Sequence, residues 1–191
     1  MEPVLVDVPD RLETQRLIIR SQMPGDGPTV NAALLDSWEA LHQTMPWAKV
    51  QPSVAETEGR MRQGRASFIA RTDLPMLMVL RESGAVLGGT GLHRMDWSVP
   101  RFEIGYWLGQ RYWGNGYVSE AVEALTALAL DTLGAARVEI HCSHRNLRSQ
   151  RVATRCGYTL EARLRNHGRE PSGELRDMMI YARVRDPAAT A

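Results

Sequence analysis

The chain of 191 residues balances 23 Lys or Arg against 22 Asp or Glu, for a net charge of +1, and is 43% hydrophobic. That length suits one sizeable core, since domains of roughly 100–200 residues are the norm; residues 10–186 are expected to form a single domain, with 1–9 and 187–191 as flexible ends. The near-neutral balance, a longest apolar run of only residues 76–80, and two cysteines outside any C-x-x-C or H-E-x-x-H spacing set aside nucleic-acid, membrane and metal partners.

Residues 17–21 read as a strand, and residues 28–44 as a helix in which Ala33, Leu34, Trp38 and Leu41 recur at helical spacing. Residues 54–72 form a second expected helix. Three strands follow, at 76–80, 86–94 and 101–108, the first two joined by the turn Glu82-Ser83-Gly84. Residues 117–133 place Val118, Ala121, Val122, Leu125, Leu128 and Ala129 on one stripe of a third helix, which Gly134 ends. A strand at 137–143, a helix at 147–155 and a strand pair at 158–165 and 175–184 complete the chain. Alternation of strand and helix after Arg101 implies parallel strands joined by a crossover, and so a mixed α/β sheet. Both cysteines, Cys142 and Cys156, fall inside these elements as small buried residues. With a start that has no apolar leader, they point to a reducing, cytoplasmic location.

The segment Arg111-Tyr112-Trp113-Gly114-Asn115-Gly116 lies between the strand ending at Leu108 and the helix starting near Tyr117. Two glycines allow positive φ and close approach of backbone to a ligand. The first free N–H groups of the helix, at Tyr117 and Val118, then favour an anion, and a pyrophosphate fits. A Walker A loop is excluded because the only lysine is Lys49, and the dinucleotide fingerprint fails because its third glycine position is Ser119.

An Arg-x-x-Gly-x-Gly loop in this setting resembles the acyl-coenzyme A loop of the Gcn5-related N-acetyltransferases (GNAT). Further segments resemble the RimJ/RimL branch in its own order: Thr14-Gln15-Arg16-Leu17-Ile18-Ile19-Arg20, Met45-Pro46-Trp47, Leu87-Gly88-Gly89-Thr90-Gly91-Leu92, Glu103-Ile104-Gly105-Tyr106-Trp107, Asn146 with Ser149, Cys156-Gly157-Tyr158 and Arg176-Asp177-Met178. The resemblance implies the GNAT fold, a mostly antiparallel sheet of about six or seven strands with a splayed parallel pair and flanking helices. It implies acetyl-CoA as donor, bound by Arg111, Trp113, Gly114, Asn115, Gly116, Tyr117 and Val118. The pantetheine arm would pair with the backbone at Tyr106, Trp107 and Leu108, and Asn146 and Ser149 would lie near the sulfur.

Acetyl transfer to an amine needs a base and an acid. Strand alternation puts Glu103 on one face with Arg101, Gly105 and Trp107, and Phe102, Ile104, Tyr106 and Leu108 on the other. Glu103 beside a glycine is a candidate base, acting directly or through water; a carboxylate that merely holds a neighbouring arginine reads equally well. His141 on the adjacent strand is the rival base, with His93 and Asp96 behind it. Asn146 suits a helix N-cap, and Ser149 shares an inward face with Val152, Ala153 and Cys156. Many acetyltransferases place an acidic tyrosine at the position of Ala153, so Ser149 becomes the candidate acid, the alternative being a hydroxyl satisfied within its own helix. Trp47, His141 and, in a long connection at 165–174, His167 with Arg169 are candidate substrate walls. Arg148 or Arg151 is expected at a cofactor phosphate.

The expected activity is acetyl-CoA-dependent acetylation of a primary amine, first of all a protein N-terminal α-amino group. A small-molecule amine and a silent acyl-CoA-binding module are the alternatives, and a homodimer is left open.

Overall fold

The computed structural model describes residues 2–45 and 47–185, so Pro46 of the Met45-Pro46-Trp47 segment and the end at 187–191 lie outside the described residues. Eight strands form one sheet: β1 (Arg11–Glu13), β2 (Leu17–Ser21), β3 (Leu74–Leu80), β4 (Val86–Asp96), β5 (Arg101–Leu108), β6 (Arg137–Ser143), β7 (Thr159–Arg169) and β8 (Leu175–Val184). Five helices flank it: α1 (Gly27–Asp36), α2 (Trp38–Thr44), α3 (Val54–Ala70), α4 (Tyr117–Ala127) and α5 (Leu147–Arg155). The strand order is β1-β2-β3-β4-β5-β6-β8-β7, and only β5 and β6 run parallel. The strand beyond the expected six or seven is β1, whose three residues are too few for an alternation to be read.

Local chemistry explains the element ends. Ser53 opens α3 with a capping box, accepting from the Glu56 amide while the Glu56 carboxylate accepts from the Ser53 amide. Asn146 caps α5 by accepting from the Ser149 amide at 3.1 Å. The single helix expected over 28–44 is broken at Ser37, a buried residue whose Oγ accepts from the Gln110 amide at 2.9 Å. The helix expected to reach residue 133 leaves α geometry at Ala127 and ends in a π-helical turn, Leu128–Thr132.

The sheet separates two apolar layers. Val122, Leu125 and Ala153 from α4 and α5 pack with Ile19, Met78, Phe102, Ile104 and Val138 on one side. On the other, Val30, Leu34 and Met61 from α1 and α3 cover Leu77, Val79 and Val86. The central strand β3 is covered on both faces, and so Leu74-Pro75-Met76-Leu77-Met78-Val79-Leu80 is apolar throughout rather than alternating. Near the start of the chain, Pro3–Leu5 form a 3-10 turn and Val8 joins the core. No helix among the described residues is long and apolar enough to cross a membrane.

One irregularity in the sheet creates the site. The parallel ladder pairs only Arg101 with Arg137, Phe102 with Val138 and Glu103 with Glu139. Beyond Glu103 the two strands diverge, and β6 continues along β8 alone.

Candidate active site

The glycine loop forms an uncapped helix start. Gly114 and Gly116 have φ of 82° and 79°, and no side chain caps α4 at Gly116. A side chain begun at Gly114 would meet nothing within 4 Å, so the space above the loop is open. Free N–H groups, a helix dipole and open space together suit a pyrophosphate. Arg16, from the segment before β2, clamps the loop from behind: its Nη1 donates to the Asn115 carbonyl at 2.8 Å and its guanidinium lies 4.6 Å from the Tyr117 ring centre. Glu120 in the first turn of α4 holds that arginine through Nε at 2.7 Å, and also accepts from the Arg16 amide and the Thr14 hydroxyl. Burial works to raise the Glu120 carboxyl, but the bonds from Thr14 and Arg16 outweigh it and hold the group below its ordinary value. Asn115 ties the loop to itself by donating to the Tyr112 and Trp113 carbonyls. Arg148 lies 4.0 Å over the Trp113 ring, at the same mouth, while Arg111 is drawn towards Asp36 at 3.6 Å.

From the loop, the diverging edge of β5 leads inwards. The Gly109 amide donates to the Leu87 carbonyl at 2.8 Å, which sets the phase of the antiparallel ladder with β4. The backbone groups of Gly105 and Trp107 therefore face β4, and those of Tyr106 and Leu108 face the gap. The gap opens into a cleft of about 680 Å³ lined by residues of β3 to β6 together with α1, α3 and Trp47. Its floor is made of glycine: a side chain at Gly89 would start 2.4 Å from Trp107 Nε1, and one at Gly105 would start 2.8 Å from His93 Cδ2. Trp107 and His93 thus lie flat on the strands, and Trp47 meets Trp107 edge-on at 6.4 Å.

Charged groups line the same cleft. Glu103 Oε2 accepts from Arg94 Nη1 at 2.6 Å and faces His141 Nδ1 at 3.1 Å. His141 Nε2 in turn meets Glu139 Oε2 at 2.7 Å, and Arg137 holds the other Glu139 oxygen. Burial would raise the Glu139 carboxyl, yet its bonds to Arg137 and His141 prevail and keep it below the usual carboxylate range. Both ring nitrogens of His141 are therefore engaged, and both contacts to Glu103 fall on one oxygen.

Across the plane of the sheet, Ser149 on α5 turns inwards with Ala153 and Cys156. Its Oγ lies 2.6 Å from the Tyr106 hydroxyl, so it is not satisfied within its own helix. A phenol thus stands beside Ser149, on β5 and not at the position of Ala153. Burial pushes the Tyr106 hydroxyl well above its ordinary value. Tyr158 is no substitute: its hydroxyl is 2.6 Å from Thr126 Oγ1 in the core, and burial pushes it up to about 12.

Of the residues expected at the site, Trp47, Glu103, Tyr106, Trp107, His141, Asn146 and Ser149 share the cleft. The loop residues and Leu108 lead into it. His167 does not join them: it lies in β7, exposed, in an irregular stretch between the pairs Leu164 with Met178 and Gly168 with Arg176. The expected long connection is thus strand as far as Arg169, and only the tip, with Glu170, Pro171 and Ser172, reaches a second hollow beside His42, Asn146 and Arg148. Arg16 was legible only as part of a family segment, with no sign of its contact to Glu120. His93 ranked behind Glu103 and His141 because it stands near the end of another strand, and its partner Asp73, just before β3, was not foreseen.

A family model described as an acetyltransferase (GNAT) domain matches residues 16–159. The chain is 29% identical over 146 residues to the ribosomal-protein-serine acetyltransferase of Escherichia coli (strain K12), spanning 76% of this chain and 80% of that protein. It is 30% identical over 105 residues to the uncharacterized N-acetyltransferase p20 of Bacillus licheniformis, spanning 55% of this chain and 58% of that one. Among solved structures, the microcin C7 self immunity acetyltransferase MccE in complex with acetyl-CoA and AMP superposes with a TM-score of 0.86 at 21% identity, covering 93% of this chain and 98% of that one. The RimL ribosomal L7/L12 alpha-N-protein acetyltransferase in complex with coenzyme A does so at 0.83 and 22%, covering 90% and 95%. With residues 16–159 matched, the chain belongs to the GNAT acetyltransferase family, and it is an acyltransferase.

Proposed function

We propose that the protein transfers the acetyl group of acetyl-CoA to a protein N-terminal α-amino group, by direct attack with donor and acceptor bound together, in the manner of the RimJ/RimL branch. The observation that carries this reading is the continuous path from the uncapped start of α4, along the unpaired edge of β5, into a cleft with a carboxylate on one side of the sheet and a hydroxyl pair on the other. In this reading the pyrophosphate sits on Gly114, Asn115, Gly116, Tyr117 and Val118, with Arg111, Trp113 and Arg148 at its mouth. The pantetheine arm pairs with the gap-facing backbone of Tyr106 and Leu108, past Trp107, and its thioester arrives beside Asn146 and Ser149. A backbone N–H there stabilises the carbonyl oxygen as it gains charge. Glu103 attracts the acceptor ammonium, and Trp47 and His141 form walls of its pocket.

The Tyr106 and Ser149 pair returns a proton to the departing sulfur. A peptide acceptor suits the second hollow, of about 590 Å³, which continues from Ser143 and Asn146 towards the hairpin tip and leaves room for residues beyond the reacting amine. The ribosomal-protein-serine acetyltransferase among the relatives supports the same acceptor class. Acetyl-CoA and newly made N-termini meet in the cytoplasm, which is the proposed location.

Release of free thiol from acetyl-CoA, measured with a panel of N-terminal peptides, amino acids, polyamines and amine antibiotics, tests the proposal. Turnover is expected with peptides. Turnover confined to small amines overturns the acceptor assignment, and binding of acetyl-CoA without turnover on any acceptor overturns catalysis.

The loop has its own test in Gly116→Val. Its φ of 79° is a conformation that costs a residue with a side chain about 1–2 kcal/mol. The chain relieves that strain by moving the loop, and binding must restore it. Affinity for coenzyme A by calorimetry is expected to fall about 5- to 30-fold, with the fold intact; unchanged affinity places the pyrophosphate elsewhere.

A further inference from the structure

We infer that His93, held by Asp73, is the base that removes the proton from the acceptor ammonium, an inference that rests on the proposed amine-acetylating role of the cleft. His93 stands on β4 directly opposite Glu103 on β5. Its ring lies across Gly105, with Nε2 3.2 Å from the point where a side chain at that position would begin. Nδ1 is 2.7 Å from Asp73 Oδ1. An ionised carboxylate has no proton to give, so Nδ1 carries the hydrogen, and in the neutral ring Nε2 is the nitrogen with the lone pair. That lone pair faces the cleft beside the strand along which the thioester enters.

Of the other candidates, Glu103 shares Oε2 between Arg94 and His141 and has only Oε1 left, and His141 has carboxylates at both nitrogens. Among the described residues, His93 Nε2 has no hydrogen-bond partner. Its side chain is 30% exposed, enough to pass a proton on to water. The charged and titratable groups that share the cleft with it are Arg60 of α3, Arg94 of β4, Glu103 and Tyr106 of β5, His141 and Cys142 of β6 and Arg176 of β8, with Asp73 behind the ring.

The geometry also separates base from acid. His93, Gly105 and Glu103 lie on the face covered by α1 and α3, and Tyr106 and Ser149 on the face covered by α5. The amine therefore approaches the thioester from one side of the gap, and the sulfur departs towards the other. One N–H bond of the ammonium breaks as Nε2–H forms, and the freed nitrogen lone pair makes the new N–C bond. The C–S electron pair leaves on sulfur. The new amide nitrogen sheds its second surplus proton to water, the thiolate takes one from the Tyr106 and Ser149 pair, and water returns one to that pair, so the net release is the single proton that His93 carries to solvent.

The pH dependence of kcat/KM for thiol release tests this, using whichever acceptor in the panel turns over. His93→Gln is expected to lose about 100-fold near neutrality and to recover progressively at high pH, where free amine is abundant. Asp73→Asn, a positioning change, is expected to lose about 10-fold with an unchanged KM for acetyl-CoA. Added imidazole is expected to restore part of the activity of His93→Ala. Wild-type kcat/KM in His93→Gln, or an equal loss at every pH, overturns the role. A wild-type enzyme that releases no thiol is a failure of the proposed function, and is seen before any variant is made. Independently of any acceptor, the nitrogen-15 shifts of His93 in the coenzyme A complex are expected to show Nδ1 protonated and Nε2 bare. The opposite tautomer overturns the inference.

Discussion

Tyr106→Phe lowers kcat for acetyl transfer by about 100-fold and leaves the KM for acetyl-CoA nearly unchanged. The Tyr106 hydroxyl lies 2.6 Å from Ser149 Oγ, with the Cys142 thiol also against that serine, and the two hydroxyls meet where the gap between β5 and β6 opens. Burial raises the phenol far enough that it stays protonated throughout the working pH range. It therefore has a proton to give when the sulfur acquires charge, and little to do beforehand. An interaction made mainly in the transition state lowers kcat and kcat/KM together. Ser149→Ala is expected to show a loss of the same order, and the double variant a loss well short of the product, because the two hydroxyls form one relay. Thiol-release kinetics on the three variants check this. A raised KM at full kcat assigns the pair to cofactor binding, and a lowered melting temperature with normal kinetics makes it structural.

Glu120→Ala weakens coenzyme A binding and destabilises the fold by about 2–3 kcal/mol, although residue 120 lies on the far side of its helix turn from the open loop. The change strands three donors, the Thr14 hydroxyl, the Arg16 amide and the Arg16 guanidinium, in a part-buried site. It also frees Arg16 from the position in which it holds the Asn115 carbonyl. The native carboxylate adds a pH signature. Its folded value lies below the ordinary 4.5, so its contribution is complete above about pH 4.5 and is lost as pH falls through the depressed folded value. Thermal melts of the wild type are expected to show this loss on acidification, and those of Glu120→Gln a smaller one. Equal acid sensitivity in both places the titration elsewhere.

What a sequence reveals depends on how far apart the determining contacts lie. The strands β2, β5, β6 and β8 and the inward face of α5 were legible because alternation and helical spacing act over a few residues. Gly114 and Gly116 were legible because a positive φ is a property of one residue. The break at Ser37 was not, since it depends on a bond to Gln110. His167 was assigned to a loop because its stretch of β7 is irregular and exposed, and neither face carries an apolar pattern. The partnerships of Arg16 with Glu120, His93 with Asp73 and Tyr106 with Ser149 join elements that only the folded sheet brings together. Most residues that line the cleft were thus named in advance, while the pairings among them were not.

The early end of the β5 and β6 ladder also bears on self-association. Any strand edge offers unpaired N–H and C=O groups to another chain, and proteins blunt such edges to avoid aggregation. Here the outer edges are blunted: β1 is three residues long and carries Arg11 and Glu13, and β7 is irregular and bears Glu161, Arg163, Arg165 and Arg169. The further edge along Tyr106 and Leu108 carries no such protection, but it faces the cleft between β5 and β6 and not the rim of the sheet. The same exposed backbone that would be a hazard at the rim is thereby set inside the sheet, flanked by Trp107 on one face and α5 on the other.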